Sequence, residues 1–217
     1  MTEPSPASTR ALLHLVAADG ADLVTALRDL PSGLVAMTRH PSCFMGEASP
    51  HAAAIEAPID YLGELMVVAG GLAELIDAER SMAIVGADRV FIAPPETASP
   101  VRYQYLMHRR DDFTHAEYLA RYESIHSEFG LRTPNLAGYV QFHVDLEASA
   151  ELATRTGCHA EPCDSMSELH LDSMEHFIEG VIAHPEVGAE AQADEERFVA
   201  RDRSFGFTHT VLWETVL

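Results

Sequence analysis

Residues 57–65 read A-P-I-D-Y-L-G-E-L, and residues 161–169 read E-P-C-D-S-M-S-E-L. Pro58, Asp60, Glu64 and Leu65 fall on Pro162, Asp164, Glu168 and Leu169. Self-similarity of this kind marks a duplicated unit, and the elements around both stretches follow one order. In the first half Ala11–Ala17 reads as a strand, and Asp19 caps a helix with the stripe Leu23, Leu27 and Leu30. Strands at Leu34–Arg39 and Ile59–Val68, a helix over Leu72–Arg80 and a strand at Arg89–Ile92 follow. The second half opens with a strand at Val101–Arg109. Thr114 and Glu117 then form a capping box for a helix carrying Tyr118, Leu119, Tyr122, Ile125 and Phe129 on one face. Strands Tyr139–Val144 and Met166–Leu171, a helix through Phe177 to Ile182 and a strand Phe207–Glu214 end it.

Each half is thus βαββαβ, the ferredoxin-like order, with 1–96 as one unit and 97–217 as the other. The proline-rich linker Ala93–Pro100 lies between them. Such a unit covers one sheet face with its helices and leaves the other bare. Two units that bury their bare faces together close an eight-stranded α/β barrel, wide enough inside for side chains or one small ligand. The fold class expected is α+β: two tandem ferredoxin-like units whose antiparallel sheets pack into an α/β barrel.

Composition narrows the function. The 217 residues are 47% hydrophobic, enough for a core. The net charge is −20, and all 14 basic residues are arginine. So acidic a surface repels phosphate backbones and anionic lipid, so no nucleic-acid and no membrane partner is expected. The lack of lysine excludes Schiff-base chemistry. No apolar leader opens the sequence and no apolar run is long enough to cross a bilayer, so a cytoplasmic protein is expected. Cys43, Cys158 and Cys163 are too few for a disulfide scaffold.

Twelve histidines are the unusual feature. Strand parity assigns Val140, Phe142 and Val144 to the helix side, leaving Tyr139, Gln141 and His143 for the barrel interior. It likewise sends Met166, Glu168 and His170 inward, with His209, Val211 and Trp213 from the last strand. His126 follows Tyr122 by four residues, beside the buried helix stripe, where an imidazole can act as a general acid or base. Glu168, if buried, must be paired or have a raised pKa. His143, Glu168 and His170 have the composition of a two-histidine, one-carboxylate metal site, but no metal-ligand spacing supports it and no metal is expected. Cys158 and Cys163 sit in a polar insertion, and Asp194-Glu195-Glu196-Arg197 reads as a solvated face. G-x-S-x-G and glycine-rich phosphate loops are absent.

The stretch Y-L-M-H-R-R-D-D-F-T-H-A-E-Y-L-A-R-Y-E-S-I-H resembles the opening of EthD-like domains, with Arg109, Tyr118, Tyr122 and His126 at the matching places. N-L-A-G-Y-V-Q-F-H-V (Asn135–Val144) is similar to that family's second strand, and D-E-E-R-F-V (Asp194–Val199) to its ending. The resemblance covers about residues 101–217. The first half shares only the element order and has Arg28 or Asp29 near the place of His126. EthD-like proteins belong to the dimeric α/β-barrel superfamily, which includes polyketide cyclases, decarboxylases, isomerases, monooxygenases and haem-binding enzymes.

The resemblance implies a small-molecule pocket. The leading expectation is a cofactor-independent lyase or isomerase, with a decarboxylase favoured, acting on a small aromatic or polyketide-like conjugated acid. His126, His143 and His170 are the candidate catalytic groups. Tyr139, Gln141, Glu168, His209 and Trp213 would contact substrate, and Arg109 its carboxylate. The alternatives are a monooxygenase on the same barrel, which needs dioxygen, and a non-catalytic small-molecule binding protein. A homodimer is compatible with the family.

Overall fold

A computed structural model describes residues 8–42, 50–95 and 99–214, without the side chains of Asp29, Trp213 and Glu214. The first half contains β1 (Thr9–Leu15), α1 (Leu23–Ala26), β2 (Val35–Arg39), β3 (Ala53–Pro58), α2 (Leu62–Gly71) and β4 (Met82–Ile92). The second contains β5 (Val101–Met107), α3 (His115–Arg121), a π-helical turn (Tyr122–His126), α4 (Ser127–Arg132) and β6 (Gly138–Val144). An insertion, α5 (Leu146–Thr156) with β7 (His159–Ala160), precedes β8 (Ser165–Leu171), α6 (Met174–Ala183), α7 (Pro185–Glu195) and β9 (Phe205–Glu214).

The strands run β1-β3-β2-β9-β5-β8-β6-β4, and β1 pairs β4 to close an eight-stranded antiparallel barrel. Within each half the spatial order is fourth, first, third, second strand. The halves join through β2–β9 and β4–β6. β7 adds a short parallel edge on β4. The α+β barrel expected from the element order is therefore present.

The repeat that suggested it is not. Pro58 ends β3, whereas Pro162 precedes β8, and residues Leu62 onward form α2 where a strand was expected. Gly70 and Gly71 close that helix, so the expected helix over Leu72–Arg80 is a run of turns. The physical reason is the apolar run Leu62–Leu72, whose burial pattern, Leu65 and Ala69 inward, has a helical period. The real internal symmetry lies in single charges. Glu56 stands opposite Leu12, two residues beyond Arg10, and Glu168 stands opposite Gln104, two beyond Arg102.

Helices cover the outside. Over the first half, Leu23, Leu27, Leu65, Leu72 and Ile76 fill the space against β1, β3 and β4, helped by Leu152 of α5. Asp145 caps α5, and Gly157 at φ +73° ends it in the left-handed region that favours glycine. Inside the barrel, Leu12, Ile84, Leu106, Phe142, Met166 and Phe207 form an apolar layer.

Candidate functional site

The capping box expected at Thr114 forms: its side chain accepts from the Glu117 N–H, and the Glu117 carboxylate accepts from the Thr114 N–H. The helix it starts buries Tyr118 and Tyr122 against β5, β6 and β8. At Tyr122–His126 it widens into a π-helical turn, a rare form that recurs at functional sites. His126 is buried there, its ring against Tyr122, Phe129 and Phe198.

Two carboxylates from the end of α7 receive this imidazole. Nδ1 lies 3.1 Å from Asp194 Oδ2, and Nε2 lies 3.8 Å from Glu195 Oε1. Arg121 pairs with the other oxygen of Asp194 and stacks over Phe198. Burial works to raise the pKa of Asp194, but the bond to His126 and the Arg121 charge hold it below the usual range. An ionised Asp194 accepts a hydrogen bond from Nδ1–H, which leaves Nε2 as the nitrogen on the Glu195 side. Burial pushes Glu195 up, partly offset by His126 and Arg201. The reading of Asp194 and Glu195 as a solvated face is thus corrected. Phe198 and Val199, both buried, draw the end of α7 onto the sheet and its carboxylates onto His126.

His126 borders a cavity of about 200 Å³ between the outer face of the second sheet and α4, α6 and α7. Tyr103, Tyr105, Tyr139, Phe129 and Phe177 supply aromatic walls, and Ser167, Glu195 and Arg201 supply polar groups. Burial pushes the Tyr105 phenol up to about 12, so it stays a neutral donor. Gly130 of α4 makes room for the Tyr139 ring, which a Cβ at that position would run into.

The faces of β6 are the reverse of those expected. Tyr139 packs with the helix-side core, whereas Phe142 and Val144 line the barrel. Gln141 donates to the Tyr122 carbonyl at 3.0 Å, so it too points at the helix layer. His143 lies against Tyr122, and burial, then Arg89 and His115, bring it down to about 4. The inversion has a cause. The apolar set Val140, Phe142 and Val144 satisfies the barrel interior as well as a helix, while on the helix side Gln141 finds the Tyr122 carbonyl at the π turn and the Tyr139 hydroxyl.

β8 follows its expected parity. Glu168, His170 and, from β9, His209 face the interior, separated by the sheet from His126. His170 Nε2 lies 3.0 Å from Glu168 Oε1. Glu168 also takes Arg10 at 3.1 Å and Gln104 at 2.6 Å. Burial opposes ionisation, yet Arg10, His170 and Arg102 hold Glu168 well below its ordinary value. Glu56 pairs with Arg10 at 2.8 Å and Arg102 at 2.7 Å and is raised, first by burial. Burial, then His51, brings His209 down to about 3. This cluster borders a second cavity of about 270 Å³ at one barrel mouth. His143 stands on the opposite sheet face from Glu168 and His170, so the three-ligand metal set does not assemble. Among the described residues no group of three or more histidine, cysteine or carboxylate side chains is placed to hold a metal.

Arg109 does not reach the outer cavity. Its guanidinium and backbone N–H are taken by Asp164, which His115 also contacts at 2.7 Å. Trp213 is on β9, but its side chain lies outside the described residues. Of the expected site residues with described side chains, His126 and Tyr139 line the outer cavity, while Glu168 and His170 meet each other on the interior face. Sequence reading missed Asp194, Glu195, Arg201, Tyr105 and Phe129. The available signal was the run D-E-E-R next to Phe198 and Val199, where acidic residues adjoin an apolar pair.

Residues 110–202 match the EthD domain. That stretch of the second half is similar to an EthD domain. Among curated proteins none matches the chain. Several solved structures share the fold across nearly all of it. An anthrone oxidase-like protein superposes with TM-score 0.59 at 11% identity, covering 98% of this chain and 96% of its own. A candidate monooxygenase from Lactobacillus acidophilus NCFM gives 0.55 at 8%, covering 95% and 94%. A heme-binding protein from Thermus thermophilus gives 0.50 at 13%, covering 97% and 95%. At these identities the likeness is one of fold, the dimeric α/β-barrel type, here closed within one chain. The expected lyase or decarboxylase is overturned: these neighbours are described as oxidase-like, monooxygenase and heme-binding proteins.

Haem does not suit the cavity beside His126. About 200 Å³ lies below the ~300–1,000 Å³ of pockets for drug-sized ligands. Both nitrogens of His126 also face carboxylates. No helix of the described residues is long and apolar enough to cross a membrane.

Proposed function

We propose that this protein is a small-molecule monooxygenase whose substrate is a compact, electron-rich aromatic compound bound in the cavity beside His126. The observation that carries the reading is His126 itself, held by Asp194 at Nδ1 and bordering an aromatic-walled cavity beside Glu195. The fold neighbours described as oxidase-like and monooxygenase add a prior by analogy only.

An activated ring methylene or phenol loses a proton to His126 Nε2, and Asp194 stabilises the imidazolium that forms. The anion left on the substrate is electron-rich enough to react with dioxygen. For a methylene the balance closes without an outside reductant. Two C–H bonds break, one oxygen atom forms the new carbonyl and the other leaves as water. The tyrosine and phenylalanine walls hold the ring flat and keep water off the anion. Tyr105, neutral and a donor, is placed to hydrogen-bond a developing oxyanion.

The test is oxygen uptake during a screen of hydroxylated aromatics and anthrone-type methylenes. One dioxygen consumed per product is expected, with His126→Ala slowing turnover by about 10²-fold or more. Product formation that proceeds equally without oxygen sinks the reading.

A further inference from the structure

Only one guanidinium borders the cavity beside His126 among its described lining residues, that of Arg201. Arg201 sits in the tight turn before β9, between the cavity and an open surface groove that it shares with Arg110 and Arg203. Those two are committed elsewhere: Arg110 to Asp112 at 3.0 Å, and Arg203 to Asp111 at 2.8 Å. Arg109 and Arg121 are likewise taken, by Asp164 and Asp194. Arg201 is held more loosely. Its Nε is buried and lies 3.3 Å from Glu195 Oε2 without hydrogen-bond geometry, and its Nη1 lies 3.9 Å from Glu196.

Glu195 is thus shared. One oxygen faces His126 and the other faces Arg201, so the base and the guanidinium stand on either side of a single carboxylate. A ligand carrying its own carboxylate could replace Glu195 on Arg201 and still present a ring atom to His126. Burial already favours the proton-bearing form of Glu195, which lowers the cost of that exchange. Tyr105 lies against Arg201 and provides a neutral donor at the same end.

We propose that Arg201 is the anion-binding residue of this cavity, and that its ligands are compact aromatic acids whose carboxylate takes the place of Glu195. The proposal rests on the cavity being the substrate site. In a protein of net charge −20 an anionic ligand gains nothing from the overall field, so a local guanidinium must supply the attraction.

Isothermal titration at pH 7.5 with benzoate and its neutral counterpart benzamide tests this on the full chain. Arg201→Gln is expected to weaken benzoate about tenfold to a hundredfold while leaving benzamide unchanged, the scale of one charged hydrogen-bonded contact. Glu195→Gln removes the competing carboxylate and is expected to tighten benzoate. Arg203→Gln, on the outer groove, is expected to change neither. Benzoate binding that is indifferent to Arg201→Gln overturns the role of Arg201 while leaving the cavity as the site. If neither probe binds the wild-type protein, the cavity reading fails and this inference fails with it.

Discussion

His126 acquires its chemistry from neighbours far along the chain. Imidazole alone is ambivalent, donor or acceptor at either nitrogen, and Asp194 decides between the two. Replacing Asp194 by Asn keeps the shape but offers an amide where a carboxylate accepted a proton. We expect Asp194→Asn to populate the other tautomer, visible as an exchange of the two ring-nitrogen shifts in ¹⁵N NMR, and to slow turnover by roughly 10²-fold or more. Unaltered shifts would show that Asp194 does not set the tautomer. His126 was legible in the sequence because the helix stripe Tyr118, Tyr122 and Phe129 marks its buried side. Asp194 was not, because a carboxylate in a charged run looks solvated until a distant histidine is packed over it.

The element that matters most is the helix from His115 to Arg132. Its start is written locally, in the Thr114–Glu117 box. Its π turn is not, since nothing in Y-E-S-I-H departs from ordinary helical composition. The extra residue in that turn rotates everything after it by ~100° relative to a regular helix. Deleting Ser124, an exposed residue within the turn, removes both the extra residue and its offset, so an α-helix should re-form with His126 still facing Asp194. The expected result is near-native helical circular dichroism with benzoate binding retained; loss of binding would show that the widened turn itself, beyond the phase of the helix, places His126. β6 teaches a related lesson. Its alternation is clear in sequence, but both faces are buried, so parity alone could not say which face meets helix and which meets barrel.

At the scale of the molecule, the barrel closes around ion pairs that cross between halves. Arg10 of the first half reaches Glu168 of the second, and Arg102 of the second reaches Glu56 of the first. Buried pairs of this kind rarely add net stability, but breaking one is costly, so they disfavour other registers of the two sheets. Buried histidines on both sheet faces are held towards the neutral form. His51 and His143 stand at about 4 and His209 at about 3, and His14 lies well below its ordinary value, burial being the largest cause in each. Because these folded-state values lie below the unfolded one near 6.5, the unfolded chain binds more protons as the pH falls. Stability is then complete above about pH 6.5 and is lost towards pH 4, by about 1.4 kcal/mol per pH unit for each such histidine. Thermal unfolding should show a steep fall in Tm across that window, made shallower by His209→Gln. A Tm constant between pH 7 and 4.5 would contradict it.

The sequence by itself determined the tandem βαββαβ order and the barrel it implies, because hydrophobic period, capping and linker composition are local properties, and its motifs carried the resemblance of about residues 101–217 to EthD-like domains. It also marked His126 through the spacing of its helix. Tertiary structure alone decided which sheet face carries the site, that the cavity lies under the helices, and that Asp194, Glu195 and Arg201 converge there. Those facts depend on which buried face meets which partner, and on charges brought together by chain segments distant in sequence, where no local pattern records the contact.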